Sequence, residues 1–363
     1  MTQTPPRLLI AASGTGGHLF PAIATAAQLP DYHIEWLGVP NRMETELIPP
    51  LYPLHTIAVS GLQKRFSLDT LRVIAGIMKS IWQVKRILKE GNFQVVFTTG
   101  GYIAAPAIVA AKMLGIPVII HEANALPGKV ARLLTPWCQS VAIGFASASQ
   151  HLKGRNTIFT GTPVRSEFFT PQPLDLAIPE NVPLIVAMGG SQGAVTLNQL
   201  VRDCASAWLE KGAWVVHLTG NNDPDLASFT HPQYIAMPFY NNMAGLLQRA
   251  NLAISRSGAS ALTELAVTKT PALLIPYPYA AEDHQSFNAR VFTSVGAGLS
   301  FRQSELTPDV LQSKVLHLLN SPDELVKMGE AAYQIAVIDS ANQLANLVRQ
   351  GVQESEEKLN LSS

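Results

Sequence analysis

The residues best placed to do chemistry stand at the ends of apolar runs. Gly14-Thr15-Gly16-Gly17-His18 follows Leu8 to Ala12, and Gly189-Gly190-Ser191-Gln192-Gly193-Ala194 follows Leu184 to Met188. Glycine lets backbone approach a ligand closely, and the helix opening after each turn offers free N–H groups and a partial positive charge. Phosphorylated substrates are the first expectation. His18 closes the first turn, where an imidazole of ordinary pKa about 6.5 can take a proton from a hydroxyl, although a capping or packing histidine fits the same position. Thr98-Thr99-Gly100-Gly101-Tyr102 reads either as another phosphate cradle or as close helix packing. His121-Glu122-Ala123-Asn124 follows the next apolar run. There Glu122 can orient a histidine or a substrate hydroxyl, or serve with Asn124 as a helix cap. In the second half, Arg256-Ser257-Gly258 ends an apolar run with Ser257 as the expected N-cap, and Glu264 falls about two turns into the following helix. A carboxylate there can accept both hydroxyls of a ribose, or stand as a solvated charge. Gln285 and Asn288 share a helix face, and uncharged amides suit sugar hydroxyls.

Several chemistries are excluded by what is missing. A dinucleotide fingerprint needs a third glycine where Leu19 stands, and the strand His33 to Val39 ends without the acidic residue that would hold a ribose. The only Gly-Lys pair, Gly128-Lys129, runs on into Val130, so no Walker loop is present. Cys138 and Cys204 are the only cysteines, too few for a disulfide framework and read as packing residues. Asp223-Pro224-Asp225 reads as a turn rather than a metal site, and one histidine beside Glu282 and Asp283 is not a ligand set. No tightly bound metal or other cofactor is expected. A formal net charge of zero excludes a protein built as a whole for nucleic acid.

The elements that must position these residues are legible from periodicity. With 363 residues the chain has room for two domains. Strand patterns at 7–12, 33–39, 54–58, 94–98, 117–121 and 140–144 alternate with helical ones, and the plan repeats at 183–188, 213–218, 234–237, 252–255, 272–275 and 298–301, with helices near 193–210, 241–250, 258–267 and 283–295. This predicts an α/β chain of two parallel-sheet domains, 1–164 and 165–337. Ligands of open parallel sheets sit beyond the carboxyl ends of the strands, so a cleft between the halves is the expected site. Thr160 to Arg165 and the Pro-rich run Pro171 to Pro183 read as linker and surface loop. Tyr102 to Ile120 carries only Lys112 as a charge, but Pro106, Gly115 and Pro117 divide it into a buried helix, a turn and a buried strand rather than a membrane span.

One segment points to a membrane surface. From Lys64 to Glu90 seven basic residues (Lys64, Arg65, Arg72, Lys79, Lys85, Arg86, Lys89) stand against Asp69 and Glu90. Among them run Ile74, Ile77, Ile81 and Trp82. A basic amphipathic helix of this kind can lie on anionic lipid; a core-packed helix with a solvated basic side is the alternative.

Taken in order, Gly14-Thr15-Gly16-Gly17-His18 with Pro21, Gly100-Gly101-Tyr102, His121-Glu122 with Asn124, Pro163-Val164-Arg165, Gly189 to Ala194 and Arg256-Ser257-Gly258 resemble the MurG family of glycosyltransferases. The resemblance runs from about residue 7 to 350. It implies the GT-B architecture, two Rossmann-like domains, with a C-terminal helix near 338–352 returning to the first domain and a frayed end from Glu354. It implies transfer of N-acetylglucosamine from its UDP form to lipid I, undecaprenyl-diphospho-muramoylpentapeptide. By the resemblance, Ser191 and Arg165 contact the donor diphosphate, Glu264 its ribose, Gln285 and Asn288 its sugar, and Tyr240 lies near the uracil. Thr15, Gly16, Gly17 and Asn124 reach the same donor. Gly100, Gly101, Tyr102 and His121 hold the acceptor, with His18 as base and Glu122 as the other candidate. A peripheral position on the cytoplasmic face of the plasma membrane is implied, with Arg72, Ile74, Ile77, Lys79, Ile81, Trp82 and Lys85 toward lipid. The chain departs from the family pattern at Ala123, Thr162 and Gln63, where Gln, Asn and a basic residue are usual. A UDP-N-acetylglucosamine 2-epimerase, a transferase for another acceptor and a non-catalytic sugar-nucleotide-binding module remain as other readings.

Overall fold

The computed structural model describes residues 5–59, 68–152, 156–190 and 193–362, with side chains apart from those of 68–74 and 358–362. The chain divides into two compact units, Met1–Arg165 with Asp339–Ser363, and Ser166–Ile338.

The first unit is built on β1 (Arg7–Ala11), β2 (His33–Gly38), β3 (Leu54–Thr56), β4 (Val95–Thr98), β5 (Val118–Glu122), β6 (Ser140–Ile143) and β7 (Thr157–Phe159). All pair in parallel, in the order β3-β2-β1-β4-β5-β6-β7. Its helices are α1 (Gly16–Ala26), the short α2 (Glu44–Leu47), α3 (Leu68–Glu90), α4 (Ala104–Leu114) and α5 (Lys129–Leu134). The apolar strands carry no polar face because both sides of the sheet are covered. Leu9, Ala11, Val96 and Ile120 pack with Val84 and Leu88 of α3 and Ala107 and Ile108 of α4. Leu8, Ile10, Val95 and Ile119 face the other way, against Leu19 and Ala22 of α1.

The second unit holds β8 (Leu184–Met188), β9 (Trp214–Leu218), β10 (Tyr234–Met237), β11 (Leu252–Ser255), β12 (Ala272–Leu274) and β13 (Gly298–Ser300), again parallel, in the order β10-β9-β8-β11-β12-β13. Its helices are α6 (Val195–Leu209), α7 (Met243–Arg249), α8 (Ala259–Val267), α9 (His284–Ser294), α10 (Pro308–Leu319) and α11 (Pro322–Tyr333). One face packs Ile185, Ala187 and Ile254 against Val201 and Trp208 of α6 and Leu311 and Val315 of α10. The last helix, α12 (Ser340–Ser362), belongs to the first unit, where Leu344, Ala345, Val348 and Val352 complete the α1 layer. At Gly351 an added Cβ would stand 3.0 Å from Ile119 Cδ1, so glycine there lets the helix lie close on the sheet.

The stretch from Tyr102 to Ile120 is α4, a left-handed Gly115 at φ 71° closing it, and β5, the usual helix-ending use of glycine. Among the described residues no helix is long and apolar enough to cross a membrane. The Pro-rich run is a surface loop, as expected, and is strapped to α7: Asn242 Nδ2 donates to Pro173 O at 2.8 Å and Arg249 Nη2 to Val182 O at 2.7 Å. The C-terminal end is not frayed at Glu354, because α12 continues to Ser362. Short β7, on the sheet edge, carries no apolar pattern long enough to read.

Candidate functional site

In each sheet the strand order reverses beside the first strand of the unit, and such switch points are where open parallel sheets hold ligands. In the first unit the point lies between β1 and β4. The Gly14 and Gly100 turns follow those two strands and are therefore neighbours. Gly14, Gly100 and Gly101 have φ of 112°, 88° and 73°, backbone that a side chain would strain. Gly16 leaves room for the Phe20 ring, which an added Cβ there would meet at 2.6 Å. That ring carries the Arg165 guanidinium, 4.5 Å above its centre.

His18 ties the two turns together. Its Nδ1 lies 2.8 Å from Thr99 O, and Thr99 Oγ1 donates back to His18 O at 3.0 Å. A carbonyl oxygen only accepts, so Nδ1 carries the hydrogen, and the lone pair of the neutral ring sits on Nε2. The ring is half-buried and lies against Gly101, whose added Cβ would be 3.7 Å from Nε2. An oriented imidazole with a free basic nitrogen at a switch point can receive a proton.

Other residues read as site groups hold the site's frame instead. Glu122 is buried, and its carboxylate accepts from Asn124 N and Nδ2, each at 3.0 Å, and from Gly128 N at 2.9 Å. It organises the loop after β5, which removes it as a ready proton acceptor. His121 is fully buried, with Nε2 donating to Gly161 O at 2.9 Å. It is an interior link rather than an acceptor contact. Thr15 is exposed at the N-cap of α1, Gly17 and Asn124 are half-buried, and Tyr102 is exposed.

In the second unit the switch point lies between β8 and β11, flanked by the Gly189 turn and by Arg256-Ser257-Gly258. Ser191 lies outside the described residues. Close approach explains two glycines: an added Cβ would meet Ala194 at 2.6 Å from Gly189 and Thr219 O at 2.5 Å from Gly193. Gly258, not Ser257, is the N-cap of α8, and Ser257 Oγ instead donates to Gln285 O at 2.8 Å. Asn288 is fully buried, its Nδ2 donating to Ser257 O at 3.1 Å, so it fastens α9 to the 256–258 turn and does not present its amide as a sugar contact. Half-buried Gln285 accepts from Tyr277 N at 2.9 Å through Oε1. Half-buried Glu264 is on α8 as expected, while the buried Tyr240 donates its hydroxyl to Asp175. Arg256, invisible as a structural group in the sequence, donates Nη1 to Ile275 O at 2.9 Å and Nη2 to Gln303 Oε1 at 2.7 Å, and burial lowers its pKa.

The basic helix α3 is divided by the sheet it lies on. Ile81 is buried in the core and so is not available to lipid, while half-buried Ile77 packs against the core on one side. Trp82, Met78 and Lys79 are exposed and Lys85 half-buried, its Nζ 4.8 Å from the centre of the Trp82 ring. The side chains of Arg72 and Ile74, and all of Lys64 and Arg65, lie outside the described residues. Leu133 and Trp137 are exposed as well.

Neither cysteine is reactive, burial pushing both thiols up to about 12. Two interior histidines set an acid limit. Burial holds His121 and His217 at about 4, His217 between Tyr234 Oη at 2.5 Å and Asn198 Oδ1 at 3.1 Å. Their folded values lie below the ordinary value, so the stability they lend is present above about pH 6.5 and lost as the pH falls toward about 4, to the extent of about 3 kcal/mol each. Denaturant midpoints measured across that window should fall steeply; a flat profile would contradict the buried neutral rings.

Residues 8–143 match the glycosyltransferase family 28 N-terminal domain and 184–348 its C-terminal domain. A UDP-N-acetylglucosamine--N-acetylmuramyl-(pentapeptide) pyrophosphoryl-undecaprenol N-acetylglucosamine transferase of Nostoc punctiforme is 64% identical over 356 residues, 97% of this chain and 100% of the relative. That of Gloeothece citriformis is 62% identical over 96% of this chain and 97% of its own. The crystal structure of Acinetobacter baumannii MurG aligns with a TM-score of 0.76 at 28% identity, over 95% of this chain and 100% of that one.

Proposed function

Because this chain belongs to the MurG family, within glycosyltransferase family 28 and with its GT-B fold, we propose that it transfers N-acetylglucosamine from UDP-N-acetylglucosamine to the muramoyl 4-hydroxyl of lipid I, forming lipid II. The observation that carries the chemistry is the Nδ1 bond of His18 to Thr99 O, which leaves Nε2 as the basic nitrogen. The acceptor hydroxyl gives its proton to Nε2 as its oxygen attacks the anomeric carbon. The bond from that carbon to the UDP oxygen breaks, and UDP departs with the electron pair. Attack opposite the leaving group inverts the centre to a β-1,4 linkage. Arg165 and the N–H groups of the Gly189 turn offset the charge growing on UDP. Glu264 accepts the ribose hydroxyls, and Gln285 offers its remaining amide hydrogens to the sugar. The Gly100 turn holds the acceptor diphosphate. The reading calls on no resident metal and no nucleic acid. Exposed Trp82 and Met78 beside Lys79 and Lys85 support peripheral attachment to an anionic membrane at its cytoplasmic face.

The test is transfer of radiolabelled N-acetylglucosamine to a short-chain lipid I analogue. Labelled lipid is expected from the wild type. Glu264→Ala should weaken UDP binding about ten- to a hundred-fold, the loss of hydrogen bonds to a charged acceptor. Retained donor binding with no labelled lipid would overturn the acceptor assignment.

A further inference from the structure

We propose that Glu44 is a positioning residue for this reaction, holding the first glycine turn, and through it His18, in working geometry. Glu44 opens α2 and is fully buried. Its Oε1 receives the Ser13 hydroxyl and, at 2.9 Å, the Val39 N–H, while Oε2 receives the Gly14 N–H at 3.1 Å. A buried carboxylate is costly unless hydrogen bonds replace its water, and here three donors from two chain segments do so. Gly38 makes the room: a Cβ there would stand 2.7 Å from Glu44 Cγ and 3.3 Å from Oε1.

The clamp acts where the turn is most constrained. Gly14 is at φ 112°, and α1 begins two residues later at Gly16 with His18 in its first turn. Fastening the Gly14 amide fixes the entry of α1 from beneath, and Thr99 fixes the His18 ring from the neighbouring turn. A proton acceptor displaced by about 1 Å loses about a hundred-fold in rate. Glu44 itself touches no reacting group. The proposal rests on the reading of His18 as base.

Glu44→Gln keeps the size but sets an amide hydrogen against a hydroxyl or N–H donor. Hydrogen exchange over residues 12–18 should quicken about ten-fold with β4 and β5 unchanged. The kcat for sugar transfer should fall about a hundred-fold, well beyond any rise in KM for UDP-N-acetylglucosamine, which Thr15 to Gly17 of the same turn also reach. Gly38→Ala should reproduce this split, and Ser13→Ala, which keeps both amide bonds, should show it more weakly. Unchanged exchange at 12–18, exchange raised throughout the unit, or retained kcat would overturn the proposal. Should Glu44→Gln fail to fold, the same readouts on Ser13→Ala decide it. A wild type that forms no labelled lipid sinks the functional reading instead, while the exchange data still decide the clamp.

Discussion

Alanine at His18 should lower kcat for sugar transfer by about a hundred- to ten-thousand-fold, the range of a lost general base, while UDP affinity stays within about two-fold. The Thr99 carbonyl holds Nδ1–H, so the group removed is one oriented acceptor, Nε2. The backbone of the turn keeps its other supports, Gly14 N on Glu44 at 3.1 Å and His18 N on Thr15 O at 3.0 Å. Steady-state kinetics with calorimetric UDP binding separate the two quantities. A loss below about ten-fold would move the proton elsewhere. Glu122 is a poor alternative, since its oxygens already accept three N–H groups. Glu122→Ala should therefore act through the 123–128 loop, with a smaller kcat effect.

The largest expected loss of stability is in the second unit. Arg202 and Asp223 form a two-pronged pair at 2.8 and 3.2 Å, with side chains 4% and 1% exposed. Burial by itself would raise the Asp223 carboxyl; the Arg202 hydrogen bond, helped by the Asp225 N–H, brings it below the ordinary carboxylate value. Asp223→Ala leaves an uncompensated buried guanidinium and should cost about 3–5 kcal/mol, whereas replacing both partners by apolar residues of similar volume should recover most of it. Denaturant unfolding followed through Trp208 and Trp214 measures both. Since the folded value of Asp223 is depressed, the pair's contribution is complete above the ordinary carboxylate pKa and disappears as pH falls through the folded one. An alanine variant within about 1 kcal/mol of wild type would show the pair is not desolvated.

These two predictions differ in how far the sequence foretold them. His18 was legible because a glycine turn after an apolar strand announces both its place and its chemistry. The Asp223 turn was legible as a turn, but its partner Arg202 lies on α6 and only the fold brings them together. Glu44 was hidden for the same reason: in Asn41-Arg42-Met43-Glu44-Thr45-Glu46 it reads as surface, yet it is fully buried. Periodicity found both sheets because apolar runs and glycine breaks are local signals. It could not tell that Asn288 and His121 point inward, because a polar residue beside a site looks the same in sequence whether it meets ligand or backbone. Ile81 failed likewise: an amphipathic helix shows its apolar side but not whether sheet or lipid covers it.

The return of α12 to the first unit has a consequence for biosynthesis. Residues 166–338 form an uninterrupted stretch and can close as soon as they leave the ribosome. The unit begun earlier must wait, because Leu344, Ala345, Val348 and Val352 are translated only afterward. The half that starts first is thus completed last, and until α12 is made the Leu8, Ile10 and Ile119 layer has α1 but not α12 to cover it.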